Sequence, residues 1–265
     1  MNVTLKAGTR PLTLGTVTSI GFEESERESS IDVPLTRGLS RQGLGSNSAP
    51  ITIDGLLEGS ARFIDYQQFN RFRMIQRSLK LESSLINTAV YLNSVSPGRI
   101  VSEFLYYKLG LVESLFKQIS DCEDLNGWIS DGELTNENDS PAPPEGDYCL
   151  KAARTGTSIY AVYVPEDVVD LSGKEYVAFW IQTNNISVLS QAYLTLYPDS
   201  GDPINAYFQS KLLAVGTWYK VLLHKSEFSN YQNFDWSQVS AFFIALTFNA
   251  NLSISLIVDD LGAYE

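Results

Sequence analysis

Two periodicities organise the chain. Up to about residue 115, short apolar–polar alternations predict strands at Val3–Ala7, Leu12–Phe22, Ile51–Gly59, Asn87–Leu92 and Ile100–Val112. Ile31–Leu35 reads as an edge strand that Pro34 brings to its end. One helical period interrupts them. After Ser60, placed as the N-cap, Phe63, Tyr66, Phe69, Phe72, Ile75 and Leu79 recur at spacings of three and four and predict an apolar stripe packed on a sheet. Arg71, Arg73, Arg77 and Lys80 stand opposite that stripe as a solvated or inter-subunit face.

Beyond residue 118 the pattern is almost wholly period two. Ala192, Leu194 and Leu196 alternate with Tyr193, Thr195 and Tyr197, and Leu252, Ile254, Leu256 and Val258 alternate with Ser253, Ser255 and Ile257. Val177–Ile181 is apolar on both faces and predicts a central strand. Further strands are expected at Ser158–Val164, Ile204–Lys211, Trp218–Leu223 and Val239–Asn249, which together argue a β-sandwich. Asp131–Asp147, with three prolines and one aliphatic residue, reads as a long loop, and Cys122–Trp128 as the opening strand and turn. The fold class expected is mainly β: an α+β sheet or split-barrel-like domain with one helix (residues 1–116), then a jelly-roll sandwich (residues 117–265).

Composition narrows the chemistry. The 265 residues carry 31 Asp and Glu against 19 Lys and Arg, a formal charge of −12, which disfavours a phosphate-tracking surface, so no nucleic acid is expected. No apolar run approaches the roughly 20 residues of a membrane span, and the amino end lacks the basic-then-apolar order of a secretory signal. One histidine and two cysteines do not make an ordinary closed zinc site. His224 has no Gly-x-Ser-x-Gly elbow to serve and reads as a strand-end surface residue. Trp128, Trp180 and Trp218 are assigned to the core.

Two resemblances follow from short motifs. Leu14–Ile20, Ile31–Leu35, Gln42–Gly45, Ile51–Leu56 with the following helix, and Tyr106–Leu109 resemble the amino-terminal domain of distal-tail and baseplate-hub proteins of tailed viruses. That resemblance implies a homo-oligomeric ring, tail and baseplate proteins as partners, and a place in the virion tail after assembly in the host cytoplasm. In the second half, Cys122–Trp128, Gly146–Lys151, Val169–Gly173, Val215–Val221 and Leu256–Leu261 resemble in order the jelly rolls of carbohydrate-binding modules and their galactose-binding-like relatives.

The second resemblance implies candidate sites. Structural Ca2+ would be held by Glu123 with Asp259 or Asp260, joining the first strand to the last. Tyr193, Tyr197 and Tyr207, with Gln191 and Gln209 beside them, are the carbohydrate-contact candidates; an ordinary solvent face or subunit contact is the other reading. Cys122 and Cys149 fall on neighbouring strands, where a disulfide would add about 3–4 kcal/mol and two free thiols are the equal alternative. The leading expectation is a non-enzymatic tail-tip subunit whose jelly roll touches host-surface glycans. The rival is a carbohydrate-binding module or accessory domain of a glycan-processing enzyme.

Overall fold

The computed structural model describes residues 3–7, 10–22, 51–75, 78–83, 87–101, 103–114, 116–138 and 143–265. It divides into two compact units, Met1–Phe116 together with Glu265, and Lys117–Tyr264. Both are built from antiparallel strands, and among the described residues there is one α-helix. The segments Ile31–Leu35 and Gln42–Gly45 and the side chain of Arg77 lie outside the described residues.

The first unit contains β1 (Val3–Ala7), β2 (Arg10–Leu12), β3 (Thr16–Phe22), β4 (Ile51–Glu58), α1 (Arg62–Ile75), β5 (Leu79–Ser83), β6 (Asn87–Val101) and β7 (Phe104–Glu113). These form one seven-stranded sheet in the order β2-β1-β5-β6-β7-β4-β3. Phe69 is the fully buried anchor of α1, its ring centroid 5.1 Å from that of Tyr107, and the Tyr107 hydroxyl donates to the Leu14 carbonyl at 2.6 Å. Gly55 is required beneath that contact, because a Cβ there would stand 2.4 Å from the Tyr107 oxygen.

Several expectations for this unit are corrected. The first helical hydrogen bond runs from Asp65 N–H to the Ala61 carbonyl, so Ala61 rather than Ser60 opens α1. The helix ends at Ile75, and Leu79 opens β5, a strand that the helical spacing had concealed. Lys80 therefore leaves the helical basic face and lies buried near Glu82. Phe63, at the start of the stripe, is exposed. The strand expected from Asn87 to Leu92 runs on to Val101, and Ile100, expected to open the next strand, belongs to it; β6 and β7 stay paired from Val90–Glu113 to Val101–Phe104.

The second unit contains β8 (Phe116–Ser120), β9 (Trp128–Ser130), β10 (Glu133–Glu137), β11 (Cys149–Tyr163), β12 (Tyr176–Thr183), β13 (Leu189–Pro198), β14 (Ile204–Tyr207), β15 (Tyr219–His224) and β16 (Val239–Tyr264). The long strands β11 and β16 pair along most of their lengths, but the register shifts between Gly156 and Ser158. Four residues of β16 (248–251) face one of β11 there, and the excess bends the pair. Beyond the bend β16 takes different neighbours: its first part pairs with β13, its last part with β12. One layer is thus β14-β13-β16-β11-β9 and the other β10-β11-β16-β12-β15.

Between the layers lie Phe242, Ile244, Leu246, Leu194, Leu196 and Ile159 from the first, and Val177, Phe179, Ile181, Val221, Leu256 and Val258 from the second. Two sheets packed through alternate residues make the expected β-sandwich. Here too the loop reading is corrected. β10 lies within the stretch assigned to a loop and pairs with β11, with Leu134 packed on the core. Its other side chains are polar because it is an edge strand, where charge blocks further pairing. Cys122–Gly127 is a connection between β8 and β9 rather than a strand, with Cys122 at φ +59°.

Adjacent phenylalanines test the alternation. Phe242 is fully buried between the layers, whereas Phe243 lies on the outer face. Phe242→Ala is expected to cost about 3–5 kcal/mol of unfolding free energy and Phe243→Ala only about 1 kcal/mol, read from chemical denaturation of each variant. The reverse order, with Phe243→Ala the costlier, would mean that β16 is shifted by one residue.

Candidate functional site

The outer face of the layer β14-β13-β16-β11-β9 is aromatic. Strand alternation sends Leu194, Leu196, Ile244, Ile159 and Ala161 inward and leaves Tyr193, Tyr197, Phe243 and Tyr160 facing out. Register then lines them up. Tyr193 pairs with Tyr207 on β14, and Tyr193 and Tyr160 both pair with Ala245 of β16 from opposite sides. Ala245 is the small residue between two tyrosines, and Phe243 fills the space beside it.

The rings form a ladder across four strands. Tyr207 and Tyr193 are 5.8 Å apart by centroid with planes at 52°. Tyr193 and Phe243 are 6.1 Å apart at 26°, and Phe243 and Tyr160 are 4.9 Å apart at 29°. Tyr197 meets Phe243 edge-on at 71°. Tyr207 is 57% exposed and Tyr197 39%. Burial, followed by the neighbouring Tyr207 and Tyr197, raises the Tyr193 phenol above its ordinary value, so it remains a neutral hydrogen-bonding group.

Polar groups flank the rings. Gln191 is exposed on the same face of β13, two residues before Tyr193. The Thr195 hydroxyl donates to Asn205 Oδ1 at 2.6 Å, which orients the Asn205 amide. Gln209 is not on this strand face: β14 ends at Tyr207 and Gln209 begins a 3₁₀ turn, where it is exposed. The structure therefore brings Tyr193, Tyr197, Tyr207 and Gln191 onto one face and sets Gln209 beyond its end. Sequence reasoning missed Tyr160, Phe243, Thr195 and Asn205. The parity of Tyr160 between buried Ile159 and Ala161, and of Phe243 between Phe242 and Ile244, was the available signal.

None of the outward residues on these strands carries a formal charge. Ser158, Tyr160 and Val162 of β11, Ala241, Phe243, Ala245 and Thr247 of β16, and Gln191, Tyr193, Thr195 and Tyr197 of β13 are all neutral, as are Asn205, Tyr207 and Ile129. Charged groups stand at the rim: Asp199 and Asp202 between β13 and β14, and at the β11 end Asp131, which accepts from Tyr160 N–H at 3.1 Å and pairs with Arg154.

Other sequence candidates are placed differently. Trp128 is in the core, but Trp180 lies half-buried outside it, with Lys220 Nζ 5.6 Å from its ring centroid, and Trp218 is also half-buried. His224 is not a surface residue. It is buried at the end of β15, where Nδ1 accepts from Ser226 N–H at 3.1 Å and lies 2.7 Å from Ser226 Oγ, while Nε2 lies 3.0 Å from Glu175 Oε2. Glu227 completes a capping box by accepting from His224 N–H, so the histidine closes a helical turn rather than serving a nucleophile.

Cys122 and Cys149 are both buried free thiols, which corrects the disulfide candidate. Each has its own partner: Leu261 N–H donates to the Cys122 sulfur, and Cys149 Sγ lies 3.4 Å from the Glu137 carbonyl. Burial first, then the neighbouring Asp259, pushes both thiols upward, which makes them poor nucleophiles.

The carboxylates expected to hold Ca2+ do not converge. Glu123 accepts from Asp147 N–H at 2.7 Å, Asp260 accepts from the Gln118 amide at 3.0 Å, and Asp259 Oδ2 accepts from Glu145 N–H at 3.0 Å. Among the described residues no three His, Cys, Asp or Glu side chains are grouped to hold an ion, so this donor set does not fit a calcium cage. Asp259 Oδ1 is left buried without a hydrogen-bond partner. Desolvation, reinforced by Asp260 and Glu145, raises the Asp259 carboxyl to about 7. The folded state then holds a proton that the unfolded chain gives up near pH 4, so stability present in acid is lost as pH rises toward about 7. Asp259→Asn, which stays neutral, is expected to flatten that decline in melting temperature and to melt above the parent protein at about pH 8.

No protein-family model matches the chain, and no curated protein matches it. Among solved structures, the Family 11 carbohydrate-binding module from Clostridium thermocellum is 15% identical with a TM-score of 0.42, covering 56% of this chain and 95% of that one. A Family 30 carbohydrate-binding module is 15% identical with a TM-score of 0.43, covering 57% and 87%. The agarase AgWH50C is 11% identical with a TM-score of 0.43, and the match covers 57% of this chain and 24% of the enzyme. The resemblance of the first unit to distal-tail and baseplate-hub domains gains no support from these matches.

Proposed function

We propose that the second unit is a non-catalytic carbohydrate-binding module whose site is the outer face of β14-β13-β16-β11. The observation behind this reading is the aromatic ladder Tyr207–Tyr193–Phe243–Tyr160, with Tyr197 beside it, on the solvent side of a sandwich whose core is complete without it. Aromatic surface exposed in this concentration is a binding surface in a monomeric fold. Sugars suit it: their C–H faces pack on ring faces, while phenol oxygens, Gln191 and the Asn205 amide, oriented from beneath by buried Thr195, meet hydroxyl groups.

The strands keep the ladder rigid. Each tyrosine has two side-chain torsions, and its neighbours restrict both, so little conformational entropy is lost on binding. The buried thiols, the capping histidine and the tied carboxylates offer no activated group close to the face, which supports binding rather than turnover.

Affinity electrophoresis of the full chain in gels containing soluble polysaccharides tests the reading. Retardation is expected for at least one polymer. The double variant Tyr193→Ala/Tyr207→Ala should weaken it roughly 10- to 100-fold with an unchanged melting temperature. Retardation unaffected by the double substitution would sink the assignment of the site.

A further inference from the structure

The ladder does not offer all its rings equally. Centroids 4.9 Å apart with planes 29° apart cannot lie side by side in one plane, so Phe243 and Tyr160 overlap and cover each other's faces. Tyr193 extends this stack at 6.1 Å and 26°. These rings turn edges outward, and the edges of Tyr193 and Tyr160 carry phenol oxygens. The stack ends at β14, where Tyr207 tilts away by 52° and is 57% exposed. Tyr207 is therefore the ring with an open flat face, at one end of a row of hydrogen-bonding edges.

Charge adds an independent constraint. The chain has a net charge of −12, yet no ionisable group other than tyrosine stands on the outward positions of these strands, and the rim beside Tyr197 is acidic at Asp199 and Asp202. Beside Tyr160, Asp131 accepts from the Tyr160 N–H at 3.1 Å and is paired with Arg154, so a carboxylate or sulfate entering the face would lose hydration, meet a cation already neutralised by its own carboxylate, and approach like charge at the rim.

We infer that, given the carbohydrate-binding reading, the face selects neutral glycans over uronate-containing or sulfated ones, and that one sugar ring stacks on the open face of Tyr207 while its neighbours in the chain lie over the edges of Tyr193 and Tyr160. Tyr207 thus sets where the glycan is anchored, and the pairing of Arg154 with Asp131, with only neutral side chains on the outward strand positions, sets which glycans are admitted.

The test pairs polymers of related backbone and different charge. Full-length protein is titrated calorimetrically with neutral agaro-oligosaccharides and a mixed-linkage β-glucan, and with sulfated carrageenan oligosaccharides and alginate. Binding to a neutral member at least about tenfold tighter than to either anionic one is expected. Tyr207→Ala should lower that affinity about tenfold or more, and Tyr207→Phe, which keeps the ring face, should hold it within about twofold. Anionic glycans bound as tightly as neutral ones would overturn the selectivity, and Tyr207→Ala binding like the parent would overturn the anchor; both outcomes leave the carbohydrate-binding reading standing. Binding to no glycan in the panel would overturn that reading and this inference with it.

Discussion

The second unit depends on the pairing of β11 with β16 across a single bend. Both strands serve two layers, and the extra residues of β16 opposite Thr157 allow the same two strands to form the backs of both. Because side chains alternate strictly, the register of this one pair decides which residues enter the core of either layer. Phe242 and Val258 point into the shared interior, Phe243 faces out on one side, and Asp259 leaves the interior on the other. A slip of one residue would bury Phe243 and Tyr160 and expose Phe242 and Ile159, abolishing core and site together. The same constraint explains Asp260: a bulge in the β12–β16 register between Ala178 and Trp180 is absorbed at a residue with φ +46°.

Much of this was legible in the chain. Period-two patterning locates β12, β13 and the parts of β16, and the parity of Tyr193 and Tyr197 against Ala192, Leu194 and Leu196 already names one edge of the face. What patterning lacks is pairing. Tyr160 and Phe243 belong with Tyr193 only because β16 sits between β11 and β13, and strand order is a tertiary fact absent from local periodicity. The aromatic helix stripe failed in another way. Leu79 continues the helical spacing by accident, since β5 begins there and its burial comes from β1 and β6. Gln209 failed because the alternation that includes Tyr207 stops at the 3₁₀ turn.

The polar candidates show why residue type underdetermines chemistry. Glu123, Asp259 and Asp260 have the right donor atoms for calcium, but backbone amides and Gln118 occupy them in separate places. Cys122 and Cys149 flank the same acid, yet each is bonded to nearby backbone. His224, Ser226 and Glu175 make a hydrogen-bonded line of the kind used by hydrolases. Because Ser226 donates its N–H to the same ring nitrogen that its hydroxyl lies 2.7 Å from, the line is a local cap formed by residues two apart in sequence. In each case backbone groups compete for the side chain, and the competition is settled by fold rather than by composition.

The distribution of charge connects fold to function. A protein of this acidity gains solubility from repulsion between copies, and an exposed aromatic face would offset that by self-association. The arrangement separates the two requirements in space: carboxylates stand at the loops and rim, while the strands between them carry rings and amides. Stacking Phe243 against Tyr160 and Tyr193 also hides most apolar ring area from water while leaving phenol oxygens outside. Stacked edges ending in one open ring face thus place an aromatic surface on an acidic chain without a charged group on its outward strand positions.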